Sequence, residues 1–242
     1  MINILIPLAG AGSRFAAAGY TKPKPFIDVA GKPMIARVLE NLAYPNANYI
    51  LVGRKDQMEQ EAELVKEIEA TYNATFVPIE KLTEGTACTV LYAKRLIDND
   101  APLLIANSDQ IVDLDIGKFI DDCTNRNLDG SILTFIDADM NPKWSFAKTD
   151  TDNLVTEVKE KIVISDRATV GIYLFTHGND FVDAAIRMII ENDRVNNEFY
   201  TCPTYNYMIA DGKKIGVYDV LYEEMHGIGT PEDLNQYLDT LI

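Results

Sequence analysis

Short apolar, β-branched runs at 2–9, 49–52, 75–79, 103–106, 131–136, 170–175 and 215–220 alternate with helical patterns at 33–43, 57–72, 86–97, 116–125, 180–192, 199–210 and 231–241. The second pattern is typical: Met58, Ala62, Val65, Ile68 and Tyr72 recur at the spacing of one helix face. Strand and helix in strict alternation cannot pair as hairpins, so the first half predicts a mainly parallel sheet covered by helices on both faces. The stretch "SFAKTDTDNLVTEVKEKIVISDRATVGIYLF" is richer in strand patterns, and a mixed sheet is expected there. The chain has 242 residues, 47% of them hydrophobic, with no internal repeat and no Pro/Gly/Ser-rich linker. One α/β domain over 1–242 therefore fits better than two small ones.

The opening "MINILIPLAGAGSRFAAAGYTKPKPFIDVAGKPMI" ends its strand in glycines, as nucleotide sites do, but then departs from the familiar patterns. A dinucleotide fingerprint needs a third glycine where Phe15 stands and an immediate helix, which Pro23 and Pro25 forbid. A Walker A string is absent. What remains is a connection of more than 20 residues before the helix expected near Pro33, far longer than the usual roughly 2–6. Gly10 and Gly12 let backbone N–H groups approach a phosphate chain, and Arg14 and Lys24 bring charge to its oxygens. The pattern predicts a triphosphate cradle; a solvated basic turn is the simpler alternative.

Charge supports the cradle. Residues 1–37 hold Arg14, Lys22, Lys24, Lys32 and Arg37 against Asp28 alone, in a chain of net charge −15. Such an acidic total disfavours a nucleic-acid partner. No run reaches the roughly 18 apolar residues of a membrane span, and the 2–9 run has no basic leader, so a cytoplasmic protein without a membrane partner is expected. Cys88, Cys123 and Cys202 are odd in number and widely spaced, which suits small core residues better than disulfides or a zinc site. His177 and His226 form no ligand pair, and no nucleophile motif is present, so covalent or zinc catalysis has little support.

The string "LAGAGSRFAAAGYTKPKPFIDVAGKPMI" resembles the signature of the sugar-phosphate nucleotidyltransferase (pyrophosphorylase) superfamily, in motif order and spacing. That resemblance implies one GT-A-like, Rossmann-like α/β/α domain. About 1–115 would bind nucleotide and about 116–242 the acceptor. The activity implied is transfer of a nucleoside monophosphate from an NTP to a small phosphorylated acceptor, with release of pyrophosphate. Arg14 and Lys24 would be the catalytic cations, and Leu8, Ala9, Gly10 and Gly12 would lie along the nucleotide. "EGTACTV" resembles the segment at the nucleobase and ribose, which puts Gly85 and Thr86 there; read alone, it equally fits a capped helix start. In "LLIANSDQIVD" the resemblance gives Ser108 to the nucleotide and makes Asp109 the Mg2+ carboxylate, at the end of an apolar strand where α/β sheets place ligand groups. A turn or cap residue is the simpler reading of Asp109, and a solvated acidic loop is preferred for Asp113 and Asp115.

"EVKEKIVISDRATVGIYLF" resembles the acceptor half. Glu160 and Lys161 would meet the acceptor, Lys161 holding its phosphate, and Gly171 would let it pack on backbone, although a surface charge pair also fits. Glu198 would face the site from the next helix. Many relatives carry an aspartate, the second Mg2+ ligand, where "MHGIGTPEDL" has Gly227. With "PKWSFAK" and "EFYTCPTYNYMIADGKKI", this variant resembles the branch of bacterial capsule and surface-polysaccharide clusters that includes CTP:phosphoglutamine cytidylyltransferases. CTP is the expected nucleotide, with a phosphoglutamine-like compound or a sugar 1-phosphate as acceptor; no oligomeric state is implied. An acceptor phosphate is already an anion at neutral pH and needs no general base. Two other classes remain: a GT-A glycosyltransferase, against which Asn107-Ser108-Asp109 stands in place of D-x-D, and a non-catalytic nucleotide sensor, which Gly227 motivates.

Overall fold

In the computed structural model, which describes residues 1–241, the elements follow the expected alternation closely. The chain runs β1 (Ile2–Pro7), α1 (Ser13–Ala17), β2 (Asp28–Val29), β3 (Lys32–Pro33), α2 (Met34–Asn41), β4 (Ala47–Arg54), α3 (Lys55–Gln60), α4 (Ala62–Tyr72) and β5 (Ala74–Ile79). It continues through α5 (Thr86–Leu91), α6 (Lys94–Ile97), β6 (Leu103–Ala106), β7 (Gln110–Val112), α7 (Ile116–Asn125) and β8 (Gly130–Ile136). It ends with β9 (Ser145–Thr149), β10 (Val155–Glu160), β11 (Arg167–Phe175), α8 (Gly178–Ile190), α9 (Thr204–Ala210), β12 (Ile215–Asp219), β13 (Met225–Gly227) and α10 (Pro231–Thr240).

One mixed sheet crosses the molecule in the order β5-β4-β1-β6-β11-β8-β12. β5, β4, β1 and β6 are parallel, β11 runs against both β6 and β8, and β12 is parallel to β8. β9 and β10 pair antiparallel, and β9 meets the start of β11 at Phe146 and Ala168. The central strands are largely apolar because both sheet faces are covered. In β1, Ile2, Ile4 and Ile6 enter one core and Leu5 the other; Leu104 and Ala106 against Leu103 and Ile105 divide the same way in β6. Each such side chain contributes roughly 1.5–3 kcal/mol by leaving water.

Several expected boundaries shift for identifiable reasons. The helix expected at 57–72 is two, broken at Glu61, where Gln60 Nε2 donates to the Thr21 carbonyl (3.4 Å) and Glu61 pairs with Lys22 (3.9 Å). The helix expected at 86–97 is also two. The helix expected at 199–210 starts only at Thr204, because Phe199 spends its backbone elsewhere: its N–H donates to Glu84 O (2.7 Å) and its carbonyl accepts from Ala87 N (3.0 Å). The ribbons β2–β3 and β7–β13 went unanticipated because strands of two or three residues carry no periodicity. Among the described residues no helix is long and apolar enough to cross a membrane.

After β1 the chain moves outward through β4 to β5, then returns to β6 on β1's other side. The carboxyl ends of β1 and β6 therefore diverge into a crevice, the place where open α/β sheets bind ligands.

Candidate active site

A cavity of ≈ 870 Å³ opens at that crevice. Gly10, Ala11 and Arg14 line it from the opening loop, and Asn107, Ser108 and Asp109 from the end of β6. Leu82, Thr83, Gly85, Thr86 and Thr89 line it beside Glu198 and Tyr200, and Trp144, Ser145, Glu160 and Gly171 line it too. Its size suits a nucleotide-sized ligand.

The long connection between β1 and α2 is ordered by its own residues. Gly12 adopts φ +61 at the start of α1, and a Cβ there would stand 3.1 Å from Lys24 Cβ, so the turn and the lysine segment pack against each other. Pro23 and Pro25 bracket Lys24 in a single helical turn, as the sequence requires. Most of the loop's basic charge is structural: Lys22 pairs with Glu61, Lys32 with Glu40 (2.5 Å), and Arg37 donates to the carbonyls of Val29 (2.9 Å) and Ala30 (2.6 Å). Two cations remain: Arg14 lines the cavity, and Lys24 does not but reaches Asp109, which does. Lys24 Nζ ion-pairs with Asp109, 85 residues away, and Arg14, which is exposed, has no polar partner among the described residues.

The expected nucleotide residues divide. Ala9, Gly10, Gly85, Thr86 and Ser108 reach the cavity wall. Leu8 does not: its N–H donates to Val52 O (2.7 Å), and its side chain is buried in the core. Gly12 lies behind the wall, against Lys24. Gly85 serves chain packing directly, since a Cβ would stand 2.3 Å from Phe199 O. Thr86 Oγ1 accepts from Thr201 N (3.1 Å). The 199–201 segment is thus stitched to the start of α5.

Glu160 is buried and accepts from Ser145 Oγ; burial pushes its carboxyl up from the ordinary value of 4.5, against that hydrogen bond and the charge of Lys161. Lys161 itself is not on the cavity wall. Its Nζ donates to Tyr200 Oη (2.7 Å) and lies 4.6 Å from that ring's centre, so Tyr200 stands between the lysine and the cavity. Burial, then a hydrogen bond to Glu198, raises the Tyr200 hydroxyl. Glu198 faces the cavity from the loop before α9 rather than from a helix. Gly171 has φ +93, and the space a Cβ would take is filled by Asn107, whose Nδ2 would lie 2.1 Å away. That glycine therefore lets β6 and β11 close on each other as well as leaving bare backbone on the wall.

Asp109 is pinned by the C-terminal turn: Ile228 N donates to its carbonyl (2.9 Å), and a Cβ on Gly229 would stand 2.6 Å from its Oδ2. Asp115 and Asp113 are exposed and off the cavity wall, but each has a partner that a solvated acidic loop would not give it: Asp115 caps α7 through Gly117 N (2.9 Å), and Asp113 lies 2.9 Å from His226 Nε2. Gly229, Asp233, Trp144, Tyr200 and Tyr222 line the cavity without having been singled out from the sequence; only Gly229, before the capping Thr230, carried a local signal. The donor set suits a hard cation, with carboxylate and hydroxyl oxygens around Asp109. No group of three or more His, Cys, Asp or Glu stands together among the described residues, so a cation here would draw most of its ligands from phosphates and water.

Residues 4–236 match the family described as nucleotidyl transferase. The chain is 25% identical over 234 residues to a mannose-1-phosphate guanyltransferase of Debaryomyces hansenii, covering 95% of this chain and 61% of that one. It is 25% identical over 180 residues to a mannose-1-phosphate guanylyltransferase catalytic subunit beta of Drosophila pseudoobscura pseudoobscura, covering 71% and 47%. The chain thus spans about half the length of these curated relatives. A nucleoside-diphosphate-sugar pyrophosphorylase from Vibrio cholerae RC9 superposes with a TM-score of 0.81 at 25% identity, covering 98% and 99% of the two chains. The inositol-1-phosphate CTP transferase from T. maritima shares the fold, with a TM-score of 0.76 at 14% identity over 100% and 94%.

Proposed function

The chain belongs to the nucleotidyl transferase family, and from that premise we propose that it transfers a nucleoside monophosphate from an NTP, CTP by preference, to a small phosphorylated acceptor and releases pyrophosphate. The observation that carries the reading is the convergence of Lys24 on Asp109 beside an unpaired Arg14, at the switch point between β1 and β6. An acceptor phosphate oxygen attacks the α-phosphorus in line, forming one P–O bond while the bond to pyrophosphate breaks and its electron pair leaves with the pyrophosphate. No proton need move, because the attacking oxygen is already anionic. Arg14 and Lys24 stabilise the charge that develops on the leaving phosphates, and the Gly10–Ala11 backbone accommodates them. Asp109 would hold magnesium, which when bound supplies further positive charge to the phosphate oxygens.

For the base, the wall of Leu82, Thr83, Gly85, Thr86 and Thr89 offers hydroxyls and backbone. Glu84, the acid nearest that wall in sequence, is ion-paired with Arg194 and does not line the cavity, so it is not placed to take guanine's paired N–H donors. This favours a pyrimidine, although two relatives are guanyltransferases by name. For the acceptor, Lys143 on the cavity lining and Lys161 behind Tyr200 offer charge to a small phosphorylated compound, either phosphoglutamine-like or a sugar 1-phosphate. The product would be a nucleotide-linked precursor for surface polysaccharide or capsule.

Incubation with each of the four NTPs and a panel of phosphorylated acceptors, followed by mass spectrometry, tests the reading. A CDP-linked product is expected. Preferred use of GTP would overturn the base assignment, and sugar transfer from an intact nucleotide sugar would overturn the reaction class.

A further inference from the structure

The strand Met225–Gly227 and the turn after it bring another carboxylate to the Asp109 side of the cavity from an unexpected place. The atoms nearest to a Cβ added at Gly227 would be Cβ, Cγ and Oδ2 of Asp233, each at 3.9 Å, so the volume of a side chain at 227 is open and faced by the Asp233 carboxylate. Two residues on, the Cβ position of Gly229 stands against Asp109 Oδ2. The strip 227–229 is therefore flanked by Asp233 on one side and Asp109 on the other, and Gly227, Gly229, Asp109 and Asp233 line the cavity. Gly227 is held beside Gln110, the neighbour of Asp109, by the pairing of β13 with β7.

Asp233 occupies the first turn of the ten-residue α10. Its N–H donates to Thr230 Oγ1 (3.1 Å), which caps the helix, and the same hydroxyl donates to Asp233 Oδ2 (2.7 Å). That bond orients the carboxylate. No cationic side chain among the described residues pairs with it, in contrast to Asp109, which Lys24 meets. Hard divalent cations at phosphates take one or two carboxylates and leave the other positions to phosphate oxygens and water.

We propose that Asp233, projecting from α10 into the space left open at Gly227, is the second carboxylate of the divalent-cation site whose first is Asp109. The proposal rests on the reading of Asp109 as a metal carboxylate. Loss of a side chain in β13 is then matched by an acid reaching the same volume from the next helix.

The test is Mn2+ binding to the whole chain, read from the electron paramagnetic resonance signal of free Mn2+, for wild type, Asp109→Asn, Asp233→Asn and Asp233→Asn combined with Gly227→Asp. Asparagine keeps an oxygen to accept from Thr230, and circular dichroism checks the fold. Asp233→Asn is expected to weaken Mn2+ by about tenfold or more, and the added Gly227→Asp to restore most of the loss. Wild-type affinity in Asp233→Asn with binding lost in Asp109→Asn would overturn the role of Asp233 and leave Asp109 standing. Unchanged affinity in Asp109→Asn, or no binding by wild type, would overturn both.

Discussion

Lys24 and Glu160 show two ways in which one residue's surroundings set its chemistry. Lys24 is fixed by flanking prolines and by packing on Gly12, and its charge ends on Asp109. Its side chain is only 17% exposed and its charge meets Asp109, so Lys24→Ala should stay folded but melt somewhat below wild type. It should lose about 2–4 kcal/mol of transition-state stabilisation, roughly 10²–10³ in kcat/KM for pyrophosphate release; near-normal kcat/KM would remove Lys24 from the mechanism. Glu160 is buried beside Ser145 with its carboxyl pushed above 4.5, so folding favours its protonated form. The stability this gives is present below about pH 4.5 and is lost as pH rises through the raised value. Glu160→Gln mimics the protonated form at every pH. The melting temperature of that variant minus wild type should therefore grow from pH 4.5 to pH 7, and a flat difference would contradict the burial of a strained carboxylate.

At the scale of elements, the start of α5 is the clearest case of a sequence signal with two meanings. Gly85 and Thr86 read as a ligand-side helix start or as a plain cap, and the fold uses them for both wall and docking. Gly85 has φ +122 and faces the Phe199 backbone, while Thr86 holds Thr201. Gly85→Ala should therefore destabilise by on the order of 1–3 kcal/mol from the strained backbone alone, lowering the melting temperature by roughly 2–12 °C. It should also loosen the 198–201 segment, seen as faster amide hydrogen exchange at Phe199 and Thr201. Unchanged exchange there would mean the segment is held by other contacts. Nothing local to "NNEFYT" announces this crossing, because Phe199 and Thr201 bond to partners more than 110 residues away in sequence, and an apolar period favoured a helix from 199 instead.

Across the whole molecule, the parallel half was legible because alternation of strand and helix permits little else, and "LLIANSDQ" placed Asp109 at a strand end. The direction of β11 was not: Arg167–Phe175 is almost wholly buried, and a run buried on both faces reads the same either way. Arg14 and Lys24 stood out by charge against an acidic chain, whereas Asp233 looked like an ordinary first-turn acid of α10. The lysine's convergence on Asp109 needed the switch between β1 and β6, which no local pattern encodes. The central claim, that this crevice joins an NTP to a phosphorylated acceptor, is tested most directly by following pyrophosphate release with each substrate alone and with both together. The account predicts release only when an NTP and a phosphorylated acceptor are both present. Release without acceptor, or none with any pair, would contradict it.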